Sequence, residues 1–86
     1  MRDYKVRFAR SARKEMERLD DDVVNRVFPR IESLAKMPRP VGCRKLRGAR
    51  DLWRIRIGDY RVVFLVDDAE RVVEIRAVGD RKDVYE

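Results

Sequence analysis

Apolar and polar residues alternate with period 2 from Leu52 to Ile57 and again from Tyr60 to Val66, on either side of the dipeptide Gly58-Asp59. Alternation of this kind marks half-buried strands, and glycine at the first central position is what a two-residue type II′ turn requires. A hairpin closed there pairs Ile57 with Tyr60, Arg56 with Arg61, Ile55 with Val62, Arg54 with Val63 and Trp53 with Phe64. Trp53, Ile55, Ile57, Tyr60, Val62 and Phe64 then share one face as a ready core, while Arg54, Arg56 and Arg61 share the other. A following strand carries Val72, Val73, Ile75 and Ala77. With its turn inside Asp67 to Glu70, a symmetric hairpin sets Val72 against Leu65, Val73 against Phe64, Ile75 against Val62 and Arg76 against Arg61. The polar face becomes a row of Arg56, Arg61 and Arg76.

The N-terminal half reads differently. Tyr4, Val6 and Phe8 alternate over a short strand, and Ser11 is a plausible N-cap for a helix whose apolar positions are Ala12, Met16 and Leu19. Asp20-Asp21-Asp22 ends that helix and favours the start of another, because carboxylates are stabilised at a helix N-terminus. The second helix presents Val24, Val27, Phe28, Ile31, Leu34 and Ala35. Pro29 lies inside that stripe and predicts a kink or junction near Phe28, since proline removes a donor and clashes with the preceding turn. Met37-Pro38-Arg39-Pro40-Val41-Gly42 is a loop, and Arg44 to Gly48 a short strand with a turn after it. The order β-α-α-β-β-β predicts an α+β domain over residues 1–86, with a helical hairpin packed on the apolar face of a small antiparallel sheet and the arginine face left bare.

Charge sharpens the picture. The 86 residues include 22 Lys and Arg against 16 Asp and Glu, a net charge of +6. Like charges opposite one another across a strand pair cost roughly 0.2–1 kcal/mol, so Arg56 beside Arg61 points to an anionic partner. Arginine's flat fork suits phosphate oxygens and stacks on bases. The chain has no histidine and one cysteine, Cys43, which excludes His-based acid/base catalysis, catalytic triads, His-ligated zinc and an internal disulfide. No glycine-rich phosphate loop, calcium loop or paired-cysteine motif is present, and no cofactor or metal is expected. Without a signal-like or membrane-spanning apolar run, the expected location is the cytoplasm, with no membrane partner.

Lys45-Leu46-Arg47-Gly48, the stretch from Trp53 to Phe64 with its Gly-Asp-Tyr-Arg turn, and the ending Gly79-Asp80-Arg81-Lys82-Asp83-Val84-Tyr85 together resemble the RelE/ParE superfamily of type II toxins. The resemblance covers essentially the whole chain. Its RelE branch implies a ribosome-dependent endoribonuclease that cuts mRNA in the A site, has the ribosome and mRNA as partners, and is neutralised by an antitoxin carrying an amphipathic, acidic segment. DNA would be contacted only through the antitoxin complex. Matched position by position, the family's active-site residues fall on Arg54, Arg56, Arg61, Arg81 and Tyr85, with Lys45, Arg47, Arg76 and Lys82 as further RNA-binding residues.

Cleavage by attack of a 2′-oxygen needs a proton acceptor, stabilisation of a charged phosphorane, and a proton donor for the 5′-oxygen. Arginines serve the second need and not the other two, because they stay protonated. Many RelE-like toxins carry lysine where this chain has Arg54 and Arg56, and many relatives carry histidine in place of Asp80. The remaining proton carriers are Asp80 or Glu74 as base, with Lys82 or Tyr85. Two alternatives stand beside the nuclease: a ParE-like toxin that binds DNA gyrase without cutting, and a catalytically weakened subunit that acts through its antitoxin.

Overall fold

The computed structural model describes residues 3–48 and 50–80. Its elements are β1 (Lys5–Phe8), α1 (Arg10–Glu17), α2 (Asp21–Ser33), β2 (Arg44–Lys45), β3 (Leu52–Ile57), β4 (Tyr60–Asp67) and β5 (Val72–Asp80). The strands form one sheet in the order β1-β5-β4-β3-β2. The expected α+β architecture is present. The sheet, however, is mixed: β1 runs parallel to β5, pairing Val6 with Val73 and Arg7 with Glu74, whereas the other pairs are antiparallel. The two helices between β1 and β2 carry the chain across one face, so β1 comes to lie on the far side of β5.

The β3–β4 hairpin has the register that its turn dictates, from Ile57 opposite Tyr60 to Leu52 opposite Leu65. Gly58 takes φ +60°, while Asp59 keeps a negative φ, as a type II′ turn demands. A Cβ at Gly58 would stand 3.4 Å from Arg26 Nη1. Gly58→Val is expected to cost about 1–2 kcal/mol, because a branched residue is forced into a left-handed conformation. Urea unfolding checks this, and an unchanged midpoint would contradict the turn assignment.

The β4–β5 hairpin departs from expectation. Val72 faces Asp67, Val73 faces Val66 and Ile75 faces Phe64, two residues out of the symmetric register. The loop is Asp68 to Arg71. Asp67 Oδ1 accepts the backbone N–H of Glu70 at 3.0 Å, and Arg71 adopts φ +56°, a conformation that no glycine advertised. Between Phe64 and Val63 the register slips once more, so that Ala77 faces Val63 and Arg76 is the extra residue of a β-bulge. Arg76 is therefore not opposite Arg61; Gly79 is.

Both helices cover the face carrying Ile55, Ile57, Val62, Phe64, Val73 and Ile75, all buried together with Ala12, Val27, Ile31 and Leu34. The buried row of α2 is Val23, Val27 and Ile31, continued by Leu34 at its C-cap, not the broader expected stripe. Phe28, about 100° round the helix from Val27, is 40% exposed at the rim. No junction interrupts the helix near Phe28: α2 runs continuously through Pro29 to Ser33. Pro29 and Asn25, whose carbonyl loses a partner there, both lie on the exposed side, where water can substitute. Helix α1 begins at Arg10 with Ala9, not Ser11, as its N-cap. The Ala9 N–H still bonds Ile75 O in the sheet while its carbonyl accepts the N–H of Arg13, so strand passes directly into helix. Among the described residues no helix is long and apolar enough to cross a membrane.

One end of the sheet is tied by a polar cluster. Asp68 in the β4–β5 turn accepts both Nη groups of Arg39, at 3.1 and 2.8 Å, and the Tyr4 hydroxyl at 2.6 Å. The guanidinium of Arg39 also lies 5.2 Å from the Trp53 ring centroid, and that of Arg71 4.8 Å from the ring of Tyr4. Three segments far apart in sequence are joined: the start of β1, the Pro-rich loop and the turn. The hydrogen bonds from Arg39 and then Tyr4 pull the Asp68 carboxyl down to about 2 from its ordinary 3.8, and the bond to Asp68 raises the Tyr4 hydroxyl above its ordinary 10.0. A depressed carboxylate contributes stability above its unfolded value and loses it as pH falls through the folded one; a raised tyrosine loses its share as pH rises past its unfolded value. The cluster thus stabilises the fold between about pH 4 and pH 10. Asp68→Asn is expected to flatten the acid limb of a thermal-stability profile between about pH 4 and pH 2; an acid limb identical to that of the unmodified chain would refute this coupling.

Candidate nucleic-acid interface

The face of the sheet away from the helices collects basic side chains from every strand. Side chains directly opposite one another across a ladder share a face. Arg56 on β3 therefore stands with Arg61 on β4, and Arg54 on β3 with Arg44 on β2. Arg7 on β1 stands with Glu74 on β5. The period of each strand accounts for the placement: in β1 the residues between Tyr4, Val6 and Phe8 can only be the outward pair Lys5 and Arg7.

The face is not bare as expected. Arg54 is 7% exposed, and Val63 beside it is also buried, whereas Arg56 is exposed and Arg61 half-buried. Burial of a guanidinium requires compensating partners, and both Arg54 and Arg61 have them. Arg54 forms the floor of a cleft of about 350 Å³ whose other walls are Arg44, Lys45, Leu46 and Arg47. The structure thus brings the sequence candidates Lys45 and Arg47 to Arg54. Four basic residues and no acidic one line this cleft, a setting suited to a phosphate, although Lys45, opposite Trp53, has its side chain on the helix-facing side.

The two carboxylates considered as bases are placed unfavourably for that task. Glu74 lies on the open face, but its Oε2 accepts Arg7 Nε at 3.1 Å and its Oε1 accepts Arg76 Nη1 at 2.9 Å. Both carboxylate oxygens are thus already engaged by guanidinium groups, so neither is open to a substrate hydroxyl. Asp80 is opposite Tyr60, on the helix-facing side, where it borders a hollow with Glu15, Arg18 and Leu19 of the helical layer. The bulge at Arg76 reverses the alternation of the last residues of β5 and so turns Asp80 away from Arg56 and Arg61. Glu15 of α1 steadies this end of the strand, accepting the Val78 N–H at 2.9 Å beyond the point where β1 ends. Arg81, Lys82 and Tyr85 lie outside the described residues.

Sequence reasoning passed over Arg7, Arg39, Arg44 and Glu15. Arg7 and Arg44 have outward positions in their strands, and that signal was readable; which strands they would neighbour was not. Arg39 and Glu15 carry no local signal, since their partners Asp68 and Val78 are distant in the chain.

A family model described as the ParE toxin of a type II toxin–antitoxin system matches residues 6–85. The chain belongs to the RelE/ParE superfamily of type II toxins. This toxin is 30% identical over 83 residues to toxin RelG of Mycobacterium tuberculosis, with 95% of each chain covered. Its fold superimposes on the toxin in the archaeal RelE–RelB complex from Pyrococcus horikoshii with a TM-score of 0.80 at 28% identity, covering 94% of this chain and 98% of that one. The intact Escherichia coli RelBE toxin–antitoxin complex gives the same TM-score at 30% identity, covering 90% of this chain and 95% of that one. The toxin thus has relatives of the RelE type that are crystallised with an antitoxin.

Proposed function

We propose that the toxin is a ribosome-dependent endoribonuclease of the RelE type, cutting mRNA in the A site from its open sheet face. The observation that carries this reading is the convergence of Arg54, Arg56 and Arg61 on one hairpin, with Arg44, Lys45 and Arg47 walling the adjoining cleft. Guanidinium groups fixed in advance around a phosphate stabilise the charge that builds on a phosphorane. With both Glu74 oxygens taken by Arg7 and Arg76 and Asp80 turned to the helices, proton transfer is assigned to Lys82 and Tyr85 together with groups of the ribosome or the substrate. By the family resemblance, Arg81 is assigned to phosphate binding as well.

Purified toxin added to programmed ribosomes is expected to yield message ends within the A-site codon. Folded toxin that cuts in no codon context would sink the reading. The ParE description of the matching family model favours one alternative, inhibition of DNA gyrase without cleavage; loss of supercoiling activity with intact message would establish it.

Relatives solved with RelB support an antitoxin as the physiological partner, and the net charge of +6 favours an acidic segment whose binding weakens with salt. The toxin would act in the cytoplasm and meet DNA only through that complex.

A further inference from the structure

The Arg7–Glu74–Arg76 cluster lies apart from the phosphate cradle, and the hairpin pattern did not foretell it. Parallel pairing sets Arg7 over Glu74. The two-residue register shift takes Arg76 from its expected place opposite Arg61, and at the bulge its side chain bonds Glu74. The two guanidinium groups remain 59% and 47% exposed, while the carboxylate between them is 20% exposed. One carboxylate cannot neutralise two arginines, so the cluster keeps a charge of about +1. Arg7 uses only Nε and Arg76 only Nη1 toward Glu74, which leaves most of their ten N–H donors for an incoming anion. An isolated surface ion pair has little effect on stability and does not require a second arginine. Anchoring on a shared carboxylate instead lowers the conformational cost of presenting two forks together, and bulges commonly re-aim a side chain beside a functional site.

Glu74 faces Leu65, four residues along β4 from Arg61. At about 3.3 Å per residue and 4.8 Å per strand, Glu74 and Arg7 lie about 14–16 Å from Arg61 and the backbone of Arg76 about 10 Å, too far for one phosphate to bridge Arg61 and Arg7. Both groups sit on the same open face. A single extended polyanion crossing the sheet would meet them in turn, and arginine forks match phosphate oxygens in particular.

We propose that Arg7 and Arg76, held together on Glu74 at the β1 side of the open face, form a second phosphate clamp that guides the RNA strand away from Arg56 and Arg61. The clamp rests on the RNA-cutting reading and adds the path of the substrate beyond the scissile phosphate.

The test uses 2′-O-methylated single-stranded RNA, which cannot be cut by its own 2′-oxygen, in two lengths of about twelve and about three nucleotides. The double variant Arg7→Gln/Arg76→Gln is expected to bind the longer RNA about tenfold more weakly and the shorter one as the unmodified toxin does. Its salt dependence should become shallower by about 0.7 for each phosphate that is no longer neutralised. Arg13→Gln/Lys14→Gln, on the exposed side of α1, removes the same charge and should change affinity less than about twofold, because it lies off the path. Equal losses in the two double variants would overturn the clamp in favour of net charge. So would losses on both RNA lengths, or a loss confined to an acidic peptide competitor. Unmodified toxin that binds neither RNA, or normal binding by both double variants, would refute the clamp, whereas the RNA-cutting reading stands or falls separately on cleavage of message in the A site of programmed ribosomes.

Discussion

Arg61→Ala is expected to lower the rate of mRNA cleavage on the ribosome by about 10²–10³-fold while leaving the thermal midpoint within a few degrees of the unmodified toxin. The size follows from the role. A preorganised donor aimed at charge that develops in the transition state is worth about 2.7–4 kcal/mol when removed. Arg61 is directly opposite Arg56, half-buried beside Val62 and Val63, so its guanidinium is held by the sheet and not by a flexible loop. Arg61→Lys keeps the charge and loses the planar fork, so it should recover part of the rate and no more. The effect should fall on kcat more than on ribosome affinity, because the remaining basic residues still bind the message. Single-turnover cleavage on programmed ribosomes separates the two. An Arg61→Ala toxin that cuts at the normal rate would move the phosphate cradle off the β3–β4 hairpin.

Phe64→Ala should have the largest effect on the fold itself. Phe64 is fully buried, lies opposite both Trp53 and Ile75, and sits at the position where the β4–β5 ladder slips into its bulge. Truncation removes its transfer free energy and leaves a cavity that rigid strands on both sides cannot close, a loss of about 3–5 kcal/mol. That is a large share of the roughly 5–15 kcal/mol typical of a native protein, and in a chain of this size it corresponds to a fall in the thermal midpoint of more than about 12 °C. Arg56→Ala, exposed on the opposite face of the neighbouring strand, serves as the contrast and should shift stability by less than about 0.5 kcal/mol. Chemical denaturation of both variants makes the comparison. A loss below about 1 kcal/mol for Phe64→Ala would contradict the placement of the core.

The β3–β4 hairpin was legible because its information is local. Alternation assigns each side chain to a face, and a two-residue turn leaves one register. The helical order was legible for the same reason, through spacing and the Asp20-Asp21-Asp22 boundary. The β4–β5 hairpin was not. Its turn holds four residues, its left-handed position is taken by Arg71, and its bulge is stabilised by partners elsewhere: β1 on one side of β5, then the Glu15 carboxylate at Val78. Each of these joins distant segments and is invisible to a window of residues. The longer turn and the bulge explain two site corrections together, since the two-residue shift takes Arg76 from Arg61 and the bulge turns Asp80 toward the helices.

What the sequence by itself determined, then, is the sorting of side chains: an apolar face led by Ile55, Val62 and Phe64, an arginine face led by Arg54, Arg56 and Arg61, and the hairpin that keeps them in register. Dihedral periodicity and turn chemistry suffice for that, because they act over a few bonds. Only the tertiary structure decided how the arginine face is completed. The parallel docking of β1 against β5 brings Arg7 to Glu74, the pairing of β2 with β3 brings Arg44 to Arg54, and the buried setting of Arg54 follows from what packs around it. These are choices among sheet neighbours, made by burial of the shared core and by hydrogen bonds between segments that no local rule connects.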